Sequence, residues 1–70
     1  MKKKINIEGM SCNHCVMHVK NALSEVEGVK SVDVNLQGKY ALVEGDNTSN
    51  EALKAAVEDA GYEVVSIEEV

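Results

Sequence analysis

The stretch SVDVNLQGKYALV, residues 31–43, lies near the middle of the chain and predicts two strands joined by a turn. Apolar and polar residues alternate in its first half, as expected of a strand with one buried face. The apolar positions of this strand are Val32, Val34 and Leu36. Gln37-Gly38 supplies the turn. In the strand that follows, either Ala41 and Val43 or Tyr40 and Leu42 could face inward, and we favour Ala41 and Val43.

On each side of this hairpin the apolar residues follow helical spacing. A first helix is predicted over about residues 13–26 and is ended by Gly28, because glycine readily adopts the conformation that terminates a helix. A second helix is predicted to begin at Glu51, after a polar loop at residues 46–50, and to end at Gly61. The predicted buried positions are Val16, Val19, Ala22, Leu23 and Val26 in the first helix and Leu53, Ala56, Val57 and Ala60 in the second.

Two outer strands complete the pattern. Ile5 and Ile7 alternate with polar residues, and Gly9 ends this first strand with a residue that tolerates a positive φ. Residues 62–67 form the last β-rich run, and residues 68–70 are expected to fray. The order β-α-β-β-α-β predicts an α+β fold, the ferredoxin-like open-faced sandwich with a four-stranded antiparallel sheet and both helices on one face.

Length and composition limit the possible classes of protein. Seventy residues allow one domain, so we expect a single domain over residues 1–70. There is no Phe or Trp, so the core must come from Val, Leu, Ile, Ala and Met. A formal net charge of -5 argues against nucleic-acid binding, which requires a basic surface, and suits a basic docking partner.

The N-terminus and the hydropathy indicate a cytoplasmic protein. Residues 1–4 are Met-Lys-Lys-Lys, but the charged Glu8 interrupts what would be the apolar stretch of a signal peptide. No apolar run approaches the roughly 20 residues needed to cross a bilayer, so no membrane insertion is expected. Two cysteines are too few for a disulfide-stapled secreted domain, and a reduced compartment favours metal or redox use of the pair.

The two cysteines, Cys12 and Cys15, stand three positions apart where the first strand gives way to the first helix. Thiolates are soft donors, and the positive end of a helix dipole favours their ionised form. This arrangement predicts a soft-metal site. Structural burial of the pair, an adventitious disulfide, and a thiol-disulfide oxidoreductase are the alternatives, although the chain lacks the Trp-Cys-Gly-Pro-Cys character of thioredoxins.

The full motif, Gly9-Met10-Ser11-Cys12-Asn13-His14-Cys15, resembles that of the heavy-metal-associated domain family, and within it that of the bacterial copper chaperones. The resemblance covers nearly the whole chain in length and element order. It implies that Cys12 and Cys15 bind Cu(I) and pass it by thiolate ligand exchange to a partner, and that the protein is not an enzyme. The implied partner is the metal-binding domain of a copper-transporting P-type ATPase or a copper-responsive repressor.

The choice of metal also follows from the donor set. Zn(II) normally requires four tetrahedral ligands, and the chain has no second cysteine pair. Cu(I) is therefore favoured over Zn(II), Cd(II) or Hg(II). An apo monomer is expected, and the copper form can bridge a dimer. The same chemistry would serve the N-terminal metal-binding domain of a copper ATPase, although a chain that starts with Met favours a separate chaperone.

Three residues are expected around the metal ligands. Met10 is predicted to point inward as an anchor of the loop and not to bind the metal. His14 is a common residue at this position in copper chaperones of this kind, and when protonated it would favour the nearby thiolates. Tyr62 corresponds to a Gly-Tyr pair near the site in bacterial members, and is expected to donate to a thiolate or shield the ion. Met17 and His18 are expected on the surface.

Overall fold

The computed structural model describes residues 2–10 and 13–70 and shows the predicted β-α-β-β-α-β order. The elements are β1 (Lys2–Glu8), α1 (Asn13–Ser24), β2 (Val29–Asn35), β3 (Tyr40–Gly45), α2 (Asn50–Asp59) and β4 (Glu63–Glu69). The four strands form one antiparallel sheet in the order β2-β3-β1-β4. The two helices contact each other and cover the apolar face of the sheet. The ferredoxin-like sandwich is confirmed.

The core lies between the sheet and the two helices. Alternate residues of the two central strands are buried, and among them Ala41 and Val43 confirm the predicted inward face of β3. Each helix contributes residues four positions apart, because such residues share one face. The buried hydrophobic residues are Ile5, Ile7, Met10, Val19, Leu23, Ala41, Val43, Leu53 and Val57. Neither helix, within the described residues, has the length and hydropathy needed to cross a bilayer.

The end of the chain differs from the prediction. We expected residues 68–70 to fray, and this was wrong, because β4 continues to Glu69 and pairs with β1. The Val70 amide then donates to the Lys2 carbonyl at 3.0 Å. The pairing is possible because β1 begins at Lys2 and so supplies partners for the acidic tail. A bulge in β4 opposite Asn6 and Ile7 leaves Val65 exposed.

One lysine of β1 occupies an inward-facing position. Lys3 is 5% exposed, and its Nζ donates to the Thr48 carbonyl at 2.9 Å and to Asn50 Oδ1 at 2.7 Å. Both acceptors lie where the chain enters α2. Lys3 therefore joins the start of α2 to the sheet.

Lys3→Met is expected to lower the free energy of unfolding by about 1–3 kcal/mol, because it leaves the buried Thr48 carbonyl and the partly buried Asn50 amide oxygen without their donor. Urea denaturation measures this loss. Lys2→Met is the matched control, because the neighbouring Lys2 is exposed. Equal stability of the two variants would show that the buried amine does not anchor α2.

Candidate metal site

The loop that carries the cysteine motif begins where β1 ends. Gly9 has a φ of +98°, a left-handed conformation that favours glycine and ends β1. Met10 follows at 7% exposure and belongs to the hydrophobic core, as predicted for a loop anchor. Ser11 and Cys12 lie outside the described residues. The chain is described again from Asn13, where α1 begins.

Cys15 lies in the first turn of α1. Its side chain is half-buried and packs against the hydrophobic core. Cys15, Val19 and Leu23 share one face of the helix because they follow at intervals of four. The thiol is therefore held on the core side of α1, near the end where backbone N–H groups and the helix dipole favour an anionic sulfur.

Tyr62 lies beside the loop, in the turn between α2 and β4. Its amide donates to the Val57 carbonyl at 3.2 Å, which ties the turn to the last part of α2. A Cβ atom placed on Gly9 would lie 3.6 Å from Tyr62 Cδ1, an ordinary contact distance, so the aromatic ring lies beside Gly9. The ring is half-buried and also contacts the hydrophobic core. The predicted approach of this turn to the start of the cysteine loop is therefore present.

The thioether and imidazole side chains of α1 are exposed to solvent. His14 and His18 are exposed, and Met17 is 59% exposed, so the predicted surface positions of Met17 and His18 are confirmed. Among residues 2–10 and 13–70, no three His, Cys, Asp or Glu side chains come together in a way that would hold a metal ion. The influence of His14 on the thiolates stays a prediction.

Comparison with known proteins places this architecture in a family. Residues 4–63 match the family model described as the heavy-metal-associated domain. The chain belongs to the heavy-metal-associated domain family. A curated relative, the copper chaperone CopZ of Staphylococcus aureus (strain JH9), is 44% identical over 63 residues, which cover 87% of this chain and 93% of that protein.

Solved structures of similar proteins have the same fold as this heavy-metal-associated domain. The structure titled "CopZ metallochaperone" is 42% identical with a TM-score of 0.89, and the match covers 93% of this chain and all (100%) of that one. A copper binding domain from HMA7, a P-type ATPase, is 34% identical with a TM-score of 0.86, and the match covers 99% of this chain and 100% of that domain.

The sequence interpretation missed one feature of this heavy-metal-associated domain. The approach of the Tyr62 turn to this loop was predicted, but not that the aromatic ring would lie beside Gly9 itself. The two residues are far apart in the chain, and a contact between a glycine and an aromatic ring leaves no periodic pattern. The only available signal was the topology, which brings the end of β1 and the start of β4 together at one edge.

Proposed function

We propose that the protein is a cytosolic copper chaperone in which Cys12 and Cys15 bind one Cu(I) ion and transfer it to a partner protein. The observation that carries the proposal is the position of Cys15, half-buried in the first turn of α1 and three positions after Cys12 in the sequence. The names of the relatives, a copper chaperone and a copper binding domain, support copper as the cargo.

The donor chemistry supports the monovalent ion. Two thiolates are soft donors and suit Cu(I), which accepts a low coordination number, whereas structural Zn(II) sites normally use four ligands. Two intervening residues allow a loop cysteine and a first-turn cysteine to reach one ion. The cargo is bound and released unchanged, so the proposed activity is transport and not catalysis.

Transfer is proposed to occur by ligand exchange. A partner with a similar cysteine pair can add a thiolate to the ion before Cys12 or Cys15 leaves, so copper is never released to water. The similarity to a domain of a P-type ATPase supports such a domain as the partner, and a copper-responsive repressor is a second recipient. The apo protein is proposed to be monomeric, and the copper form to dimerise when sulfur ligands are shared. The net charge of -5 suits a partner with a basic face.

X-ray absorption of the copper-loaded, reduced protein tests the proposal. The copper edge should show the monovalent state, and the first shell should contain sulfur neighbours only, two per copper in the monomer. Loading in competition with a Cu(I) chelator should give one copper per chain. A reduced, folded protein that leaves all copper with the chelator, or a first shell of nitrogen and oxygen, would contradict the assignment.

Tyr62 is proposed to stabilise the site through its ring. Because the ring lies beside Gly9 and packs against the core, Tyr62→Ala is expected to lower Cu(I) affinity by on the order of tenfold, as for other groups that support metal ligands without touching the metal. Tyr62→Phe keeps the ring and is expected to retain most of the affinity. Competition titrations with a Cu(I) chelator compare the variants. If Tyr62→Phe lost as much affinity as Tyr62→Ala, the hydroxyl and not the ring would support the site.

A further inference from the structure

His14 and His18 lie four residues apart on α1, and both side chains are exposed. In an α-helix this spacing places two residues about 40° apart around the axis and about 6 Å apart along it. Their Cβ atoms are then about 5–6 Å apart, and side chains on a helix lean toward its N-terminus, so the side chain at position 18 extends toward position 14. The two imidazoles therefore share one face of α1 and can meet at one point above it.

This face differs from the one that carries the thiol. Cys15 belongs to the stripe that packs on the core, whereas His14 and His18 are on the solvent side of the same helix. Lys20 is the only lysine of α1, and the helix contains no arginine, aspartate or glutamate. Lys20 lies about 120° around the axis from His14, so it does not place a positive charge between the imidazoles. A cation can approach them without that repulsion.

Two imidazoles at positions i and i+4 of a helix are a recurring pair of ligands for divalent transition ions. Imidazole suits Cu(II), Ni(II) and Zn(II), and affinity among these ions is greatest for Cu(II). The remaining positions around the ion stay open to water, since the pair supplies two ligands. This chemistry differs from that of a thiolate pair, which suits a monovalent soft ion.

We propose that His14 and His18 form an imidazole pair that binds a divalent transition ion, Cu(II) most tightly, on the solvent face of α1. This site is separate from the cysteine site of the proposed function and does not depend on it. It gives the protein a second, open position for copper in its other oxidation state, close in sequence to the thiolates.

Cu(II) sulfate titrated into the Cys12→Ser/Cys15→Ser double variant tests the proposal, because that variant has no thiol to bind or reduce the ion. Electron paramagnetic resonance should show an axial Cu(II) signal with hyperfine structure from two nitrogen donors. Thermal unfolding should shift upward with Cu(II), because an ion that cross-links one turn of α1 binds the folded state selectively. Circular dichroism verifies the fold. Protein of unchanged sequence alkylated with iodoacetamide is a second thiol-blocked preparation.

His18→Ala in the same background should weaken Cu(II) binding by on the order of tenfold or more, since the second ligand no longer acts at high effective concentration. The matched control is His18→Ala/Asn21→His, which restores two histidines on the same side of α1 but separates them by seven residues, about 10 Å along the axis. It should bind as weakly as His18→Ala. Equal Cu(II) affinity in the parent and this control, an unaffected His18→Ala variant, or no two-nitrogen signal in either preparation would overturn the proposal.

Discussion

Cys15→Ser is expected to lower Cu(I) affinity by about 10²- to 10⁴-fold, and the double variant Cys12→Ser/Cys15→Ser to lose stoichiometric binding. A serine hydroxyl is a hard, weakly acidic donor that cannot replace a soft thiolate. Removing one sulfur also removes the second attachment of a chelated ion. Competition with a bidentate Cu(I) chelator under strictly reducing conditions measures the loss.

Two methionine variants are controls for this experiment. Met17→Leu removes an exposed thioether from α1, and Met10→Leu removes the buried one beneath the loop while keeping a similar volume. Both should bind Cu(I) nearly as well as the parent, because the proposal gives neither sulfur a role as a ligand. Tight 1:1 binding retained by the double cysteine variant would rule out the proposed site. A large loss of Cu(I) affinity in Met10→Leu would instead indicate that the Met10 thioether is a ligand.

Gly28→Ala and Gly45→Ala are expected to destabilise the fold strongly. The loop before β2 and the end of β3 approach each other closely through their backbones, and the Asp46 amide donates to the Gly28 carbonyl at 2.9 Å. A Cβ on Gly45 would collide with the Gly28 carbonyl oxygen, and a Cβ on Gly28 would collide with the Asp46 carbonyl oxygen. Neither obstacle is a flexible side chain, so the backbone itself must shift.

The two variants should differ in how much free energy of unfolding they lose. Gly45→Ala introduces the collision alone and should cost about 2–4 kcal/mol. Gly28 also has a φ of +91°, so Gly28→Ala adds backbone strain and should cost about 3–5 kcal/mol. A small domain has a total stability of about 5–15 kcal/mol, toward the low end at this length, so the second variant should be partly unfolded at room temperature.

Gly61→Ala is the control for strain without collision. Gly61 has a φ of +97°, but a Cβ there meets no atom within 4 Å. Its cost should be about 1–2 kcal/mol. Urea denaturation followed by circular dichroism ranks the three variants. A Gly61→Ala variant as unstable as Gly28→Ala would show that conformation, and not the contact between the two loops, determines the effect.

The fold was predictable because most of the elements follow a regular period. The alternation around Ala41 and Val43 fixed the inward face of β3, and the fourfold spacing of Leu53 and Val57 fixed the buried face of α2. The helix boundaries were less accurate. α1 ends at Ser24, although the apolar spacing continues to Val26, because periodicity reports which side is buried and not where helical hydrogen bonding stops.

Three features could not be read from periodicity. The bulge at Val65 breaks the alternation of β4, and only pairing with β1 reveals which residues face inward. The pairing of residues 68 and 69 depends on the register of a strand at the other end of the chain. The burial of Lys3 depends on two acceptors near residue 50, and a lysine in a charged N-terminal run gives no sign of them.

The candidate site was predictable where it depends on a local motif. Met10 is buried and the Tyr62 turn lies beside Gly9, as the motif and the topology indicated. Cys15 occupies the first turn of α1 as expected. The His14–His18 pair proposed above was not part of the sequence interpretation, which placed His18 on the surface and gave it no role. Its spacing to His14 becomes informative once α1 is known to expose both side chains.

The hydrogen bond between the Val70 amide and the Lys2 carbonyl brings the two chain ends together. β1 runs from Lys2 toward Gly9, so Lys2 and Val70 both lie at the pole of the molecule remote from Gly9. A fluorescent label, an affinity tag or a tethered neighbouring domain fused at either end would therefore leave the approach to Cys15 unobstructed.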